Sequence, residues 1–202
     1  MRPMPVWYHE TYTEGISRSA RFPRDRYRML RERLNDLHGT GLICIESPEP
    51  VVRDTLLIAH EQDYVDRFLS GSLDAKEVRR IGLEPWSGAF LPRTMRIIGG
   101  AVEALAHVTR FGGIAANMAG GTHHSHRSFG SGYCVFNDLA ICALLARDEY
   151  GYERIAVIDL DVHQGDGTAT ILEGEEGIIT ISVHGEKNFP FRKAKSDHDF
   201  PL

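Results

Sequence analysis

Apolar positions along the chain fall into two textures, one of helical period and one of short unbroken runs. Tyr27, Leu30, Leu34 and Leu37 recur at helical spacing after Asp25, and Gly39 follows as a stop. His60, Tyr64 and Phe68 sit four apart, which predicts a second helix across 55–69. Met95, Ile98, Val102, Leu105 and Val108 mark an amphipathic helix. Apolar runs of strand length then occupy 41–46, 113–118, 155–160 and 178–183, and Asn137 is placed to cap a helix through about Tyr150. Residues 1–23, broken by Pro3, Pro5 and Pro23, read as irregular. Residues 70–92, rich in Gly, Ser and Pro around Trp86, read as a loop.

Strands alternating with helices predict an α/β fold of βαβ units, with a parallel sheet covered by helices on both faces. In such sheets, sites form where strands end at their carboxyl side. Two unusual loops, after Met118 and after Leu160, fall there. A length of 202 residues suits one domain, residues 1–202, and no internal repeat, low-complexity tract or linker divides it.

Composition narrows the classes. A net charge of -5 without a polybasic block excludes the electrostatic footprint of a nucleic-acid binder or of a protein held to an anionic membrane. Cys44, Cys134 and Cys142 are odd in number and widely spaced, which does not make a disulfide framework. The first fifteen residues have no apolar core of signal-peptide length, and no later run approaches a membrane span. The expectation is a soluble, cytoplasmic protein.

The strongest chemical signal is IAVIDLDVHQGDGTAT, residues 155–170. In an extended segment residues two apart point the same way, so Asp159, Asp161 and His163 are expected on one side as the strand runs out. Asp161 and His163 are donors of the kind a catalytic zinc takes, usually three from the protein with one position left open. Alone, Asp-x-His also describes a helix-capping Asp and a solvated His. Asp159, Asp166 and the neighbouring glycines favour the metal reading.

His123 and His124 form the second element. Hydrolysis of an amide needs a base for water and an acid for the leaving amine, and a carboxylate-held histidine serves both. Asp159 and Asp166 flank the metal donors and are available for that role. His126 is expected to face solvent, and Tyr133, beside Gly132, to line a substrate passage. Cys134 is read as a small structural residue, and His184 as a polar strand end.

Together, GTHH at 121–124, GYCVFND at 132–138, VIDLDVHQGDGT at 157–168 and SVHGEKNFPF at 182–191 resemble the histone deacetylase superfamily. That group includes acetylpolyamine amidohydrolases and acetoin-utilisation proteins, and the short bacterial branch resembling class IV enzymes is the most similar in flavour. RFPRDRYRMLRERL and HEQDYVDRF resemble the opening helices of the family, so the resemblance covers essentially the whole chain.

The resemblance implies an arginase-like three-layer α/β/α fold and a zinc hydrolase that removes acetyl groups from lysine peptides, acetylpolyamines or other acetylated amines. It assigns Asp161 and His163 to zinc, His124 to general base and acid, His123 to electrostatic support, and Asp159 and Asp166 to the carboxylates behind the histidines. It implies a structural potassium ion near Asp159, Asp161, His163, Ser182 and Val183, and an acyl-lysine tunnel partly formed by Gly132 and Tyr133. Gly120-Gly121-Thr122 replaces the Pro-Gly common before the paired histidines, and Tyr133 stands where Phe is common.

In the family a third zinc-binding Asp, a carbonyl-polarising Tyr and further strands lie beyond the segment matching HDFPL, whereas this sequence stops at Leu202. The expectation is therefore an N-terminal fragment with C-terminal strands missing. Two other classes remain open: a non-catalytic metal-binding or interaction remnant, and a di-manganese ureohydrolase on the related arginase fold.

Overall fold

A computed structural model describes residues 2–202, and every strand pairing in it is parallel. β1 (Met4–Trp7), β2 (Ile43–Glu46) and β3 (Ala116–Asn117) form one sheet in the order β2-β1-β3. β4 (Ile155–Asp159), β5 (Ile178–His184) and β6 (His198–Pro201) form a second in chain order. The helices are α1 (Arg26–Gly39), α2 (Arg53–Leu57), α3 (Gln62–Leu69), α4 (Ala75–Ile81), α5 (Phe90–Phe111), α6 (Asp138–Asp148) and α7 (Asp166–Leu172). The mixed, parallel α/β class expected from the sequence is what the chain adopts. Among the described residues no helix is long and apolar enough to cross a membrane.

Several local expectations change. The proline-broken start contains β1, the middle strand of its sheet. Pro5 pairs with Cys44 of β2, while β3 joins β1 only from Val6 onward, so the missing proline N–H interrupts no ladder bond. The helix expected over 55–69 is two helices, α2 and α3. Between them the backbone N–H of Glu61 leaves the helical ladder to donate to the Arg127 carbonyl, 2.8 Å away. The expected loop at 70–92 contains α4, which Asp74 and Glu77 start with reciprocal side-chain-to-backbone bonds. The segment HDFP is β6 and extends the second sheet.

β3 spans only two residues, and Asn117 within it donates from its side chain to the Ile97 carbonyl of α5 at 2.8 Å. α5 and α6 pack on one another over the main core, which includes Tyr64, Phe90, Ile98, Phe136 and Ile141. Val6, Ile43 and Met118 make a smaller cluster with Leu34 of α1.

In the second sheet Asp159 of β4 pairs in register with Ser182 of β5. Ile178, Thr180, Ser182 and His184 of β5 are buried, whereas Ile158 of β4 and Ile179 of β5 lie on the opposite face and are exposed. The period of two is present, but the buried side of β5 is largely polar. That side carries the strand-end chemistry.

Candidate active site

β4 ends at Asp159, and the metal-type donors follow in turns. The N–H of Asp161 donates to Asp159 Oδ1 at 3.0 Å, and the N–H of His163 donates to Asp161 Oδ1 at 2.8 Å. Each aspartate thus bonds the backbone two residues on, as Asp does in turns. This corrects the simple picture of a continued strand: side-chain-capped turns, and no longer the pleat, bring Asp161 and His163 together. Their Oδ1 and Nδ1 atoms lie 3.0 Å apart.

The paired histidines meet the two carboxylates expected for them. His123 Nδ1 lies 2.5 Å from Asp159 Oδ2, and His124 Nδ1 lies 2.7 Å from Asp166 Oδ1. A carboxylate only accepts, so each Nδ1 carries the proton and, in the neutral ring, each Nε2 is a free acceptor. The two rings are 4.0 Å apart between centroids, and the ring of His124 is 5.8 Å from that of His163.

The environments of the two rings differ. Burial disfavours the charged form of His123, but the hydrogen bond it donates to Asp159 and the charges of Asp159, Asp161 and Asp166 outweigh it and raise the pKa. At His124 burial prevails, helped by the neighbouring His123 and opposed by Asp166, and the pKa is lowered. The two adjacent rings are therefore shifted in opposite directions. Asp166 is itself partly buried, which favours its neutral form, yet hydrogen bonds from His124 and His126 bring its pKa down to about 2.

His126 corrects another expectation. It does not simply face solvent: Nε2 lies 3.4 Å from Asp166 Oδ2 and Nδ1 lies 2.7 Å from Thr170 Oγ1. Asp166 thus stands between two histidines at the start of α7.

The loops around these pairs are fixed from below. Asn137 caps α6 by accepting from the Ala140 N–H at 2.9 Å, and its Nδ2 donates to the Ser125 carbonyl at 3.0 Å. His60, buried between α2 and α3, accepts the Asn137 N–H at Nε2 and donates from Nδ1 to the His126 carbonyl, both at 2.9 Å. Gly167 is required by close approach: a Cβ there would run into the Ser125 carbonyl oxygen. Gly165 likewise leaves space that Asp159 Oδ2 uses.

A cavity of about 250 Å3 opens over the site and is lined by His123, His124, Asp161 and His163. Gly132 and Tyr133 form part of its wall, as expected. A Cβ at Gly132 would stand 2.5 Å from His124 Cδ2, so only glycine lets the wall approach the ring. Tyr133 has φ of 69°, uncommon for a residue with a side chain, and its N–H is held by the Ile81 carbonyl at 2.7 Å. Phe189 was not singled out by the residue-level reading; its ring lies 4.8 Å from that of His124, edge to face. Its signal was the aromatic run after β5, which no spacing rule connects to a loop sixty residues earlier.

The donor chemistry of Asp161 and His163 fits a divalent metal such as zinc: one carboxylate oxygen and one ring nitrogen, adjacent on the cavity wall. They are two donors, and among the described residues no group of three or more His, Cys, Asp or Glu side chains is gathered to hold an ion. Asp197 and Asp199 do not join them. Asp197 accepts from the N–H and hydroxyl of Thr180, and Asp199 accepts from Gln164 and from the Ser196 N–H. His184 is buried with Nδ1 2.9 Å from Ser182 Oγ, the strand-end role expected for it. Cys134 is buried, and burial pushes its thiol up to about 12, as befits a structural residue.

The loops after β3 and β4 bring two carboxylate-backed histidines beside an Asp–His pair on an α/β scaffold. The histone deacetylase domain model matches residues 20–199, and the chain belongs to that family. An uncharacterized protein of a Picosynechococcus species is 41% identical over 201 residues, covering 98% of this chain and 65% of the relative. The acetoin utilization protein AcuC of Staphylococcus aureus is 31% identical over 160 residues, covering 72% of this chain and 41% of the relative. That of Staphylococcus xylosus is 28% identical over 195 residues, covering 92% and 50%. The chain thus spans between about two fifths and two thirds of the length of these relatives.

Proposed function

We propose that the protein is a zinc-dependent hydrolase that removes an acyl group from a lysine side chain or a related amine such as a polyamine. The observation that carries this reading is the His124–Asp166 pair, 2.7 Å apart, whose free Nε2 shares a cavity with Asp161 and His163. A zinc ion held by these two residues would supply Lewis acidity toward the acyl oxygen and toward water. A potassium ion would belong beside the backbone of Asp159, Asp161 and His163 and the adjoining Ser182 and Val183.

The chain's own groups then divide the proton work. His124 Nε2 takes the proton of the attacking water and passes it to the leaving amine. Asp166 fixes the Nδ1–H tautomer of His124 and stabilises the imidazolium that forms. Asp159 does the same for His123, whose raised pKa favours a positive charge beside the charge developing on the acyl oxygen. Phe189, Gly132 and Tyr133 confine the approach of the acylated side chain.

The test is release of acetate from an acetyl-lysine peptide with zinc supplied, for this chain and for one extended beyond Leu202. Turnover lost on His124→Ala supports the reading. An extended chain that binds zinc stoichiometrically and hydrolyses no acyl-amine sinks it. A second reading, a non-catalytic metal-binding or interaction domain, is favoured by the two-donor set and expects no turnover at any zinc concentration.

A further inference from the structure

Asp166 has two oxygens, and the proton work assigned to His124 uses one of them. His126 takes the other: its Nε2 lies 3.4 Å from Asp166 Oδ2, while His124 Nδ1 lies 2.7 Å from Oδ1. A carboxylate only accepts, so Nε2 of His126 carries a proton toward it. The His126 ring is itself held. It stacks on Phe129, with centroids 4.4 Å and planes 26° apart, and its Nδ1 meets Thr170 Oγ1 at 2.7 Å. A hydroxyl both donates and accepts, so Thr170 suits the ring in either of its forms. The backbone is fixed as well: the His126 N–H donates to the Phe129 carbonyl and the His126 carbonyl accepts from His60 Nδ1, each at 2.9 Å. The side chain is only 18% exposed.

The torsion that turns an aspartate carboxylate is soft, with broad preferences in place of three sharp wells. Held at Oδ1 alone, Asp166 could swing about that bond and carry the acceptor away from His124 Nδ1–H. A second donor at Oδ2 fixes the plane of the carboxylate. Its effect is visible in Asp166 itself: against burial, hydrogen bonds from His124 and His126 bring the pKa down to about 2. A competing role for His126 is a plain tether, tying the histidine loop to α7 through Thr170.

Resting on the hydrolase reading above, we propose that His126 is a positioning residue for the reaction: it clamps Asp166 at the oxygen that His124 leaves free, and so keeps the base aligned with its carboxylate. His126 stands outside the cavity wall and acts on the chemistry only through Asp166. It takes no proton from water and gives none to the amine. A misplaced orienting group lowers the rate without weakening the hold on substrate, which is the signature to look for.

A pair of substitutions separates the clamp from the tether. The amide nitrogen of glutamine extends as far as the histidine Nε2, and that of asparagine as far as Nδ1. His126→Gln therefore keeps the donor to Asp166 and drops Thr170, whereas His126→Asn does the reverse. In the chain with nitrogen-labelled histidine, the Nδ1–H signal of His124 should stay sharp in His126→Gln and broaden by exchange with water in His126→Asn. In the zinc-supplied chain extended beyond Leu202, kcat for an acetyl-lysine peptide should stay within about twofold of the parent for His126→Gln and fall about tenfold or more for His126→Asn, with KM unchanged in both. His126→Phe keeps the stack on Phe129 and has no donor; it should repeat the asparagine result, and it replaces that variant if asparagine unsettles the loop. A donor-free variant that matches His126→Gln in both signal and kcat overturns the proposal, as does damage confined to His126→Gln. The NMR comparison needs no turnover. Absence of acetate release from the extended parent therefore counts against the hydrolase reading and leaves the clamp to be decided by the His124 signal.

Discussion

His60 offers the sharpest physical test of how the site is supported. Its ring is buried, and both nitrogens are committed: Nδ1–H to the His126 carbonyl and Nε2 to the Asn137 N–H, each at 2.9 Å. A second proton would have to sit on Nε2, facing a donor, in a buried place. Burial pushes the pKa down to about 4, only partly opposed by backbone hydrogen bonds from the His126 region. In the unfolded chain the same ring titrates near about 6.5. Between these two values the unfolded state holds one more proton than the folded state, so stability rises with pH across the window and is lost as pH falls. A shift of that size corresponds to roughly 3 kcal/mol, fully present above about pH 6.5 and gone below the folded pKa. His60→Gln keeps an acceptor for Asn137 and a donor for His126 but cannot titrate. Urea unfolding at about pH 7.5 and about pH 4.5 should show the parent losing on the order of 2–3 kcal/mol more than this variant. Other titrating groups are common to both proteins and cancel in the difference. His60→Leu, which leaves both backbone groups unpaired, should cost roughly 2–6 kcal/mol at neutral pH. Parallel pH dependences for the parent and His60→Gln would refute the reasoning.

Three further outcomes follow from the same structure. Asp166→Asn should lower acetate release by on the order of a thousandfold or more, because an amide donating to Nδ1 forces the proton onto Nε2 and removes the base; nitrogen NMR of His124 should show the changed tautomer. Gly167→Ala places a methyl group against the Ser125 carbonyl, and thermal melting should register a loss of roughly 1–3 kcal/mol. Tyr64→Phe removes a buried hydroxyl that donates to the Val135 carbonyl at 2.7 Å, with an expected cost of roughly 1–3 kcal/mol by denaturant titration.

The helices of strong period were legible: α1 and α5 lie where the spacing put them, and α6 follows the cap expected at Asn137, whose side chain accepts from the Ala140 N–H. β1 was hidden because prolines argue against a central strand. The argument fails only when one knows that β3 begins opposite Val6, a long-range fact. α4 was legible in principle, since Asp74 and Glu77 have the capping-box spacing, but Gly, Ser and Pro around it dominated the composition. Within the site, the carboxylate partners of His123 and His124 could be anticipated because Asp159 and Asp166 flank the metal donors in one segment. Phe189 belongs to a loop far away in sequence, and tertiary packing alone brings its ring against that of His124.

The same packing explains why the two histidines, adjacent in sequence, have different electrostatics. The His123 carbonyl is held by the Thr168 N–H at 3.0 Å, and the Ser125 carbonyl sits where Gly167 leaves room. The histidine loop is therefore laid directly across the start of α7. From there His124 meets Asp166 inside the helix, while His123 reaches back to Asp159 at the end of β4 and feels Asp161 beyond it. His123 thus sees three carboxylates and turns toward the charged form. His124 faces one, shared with His126, and burial, helped by the neighbouring His123, lowers its pKa. Two identical side chains are shifted in opposite directions because the carboxylates that they find lie seven residues apart along the chain.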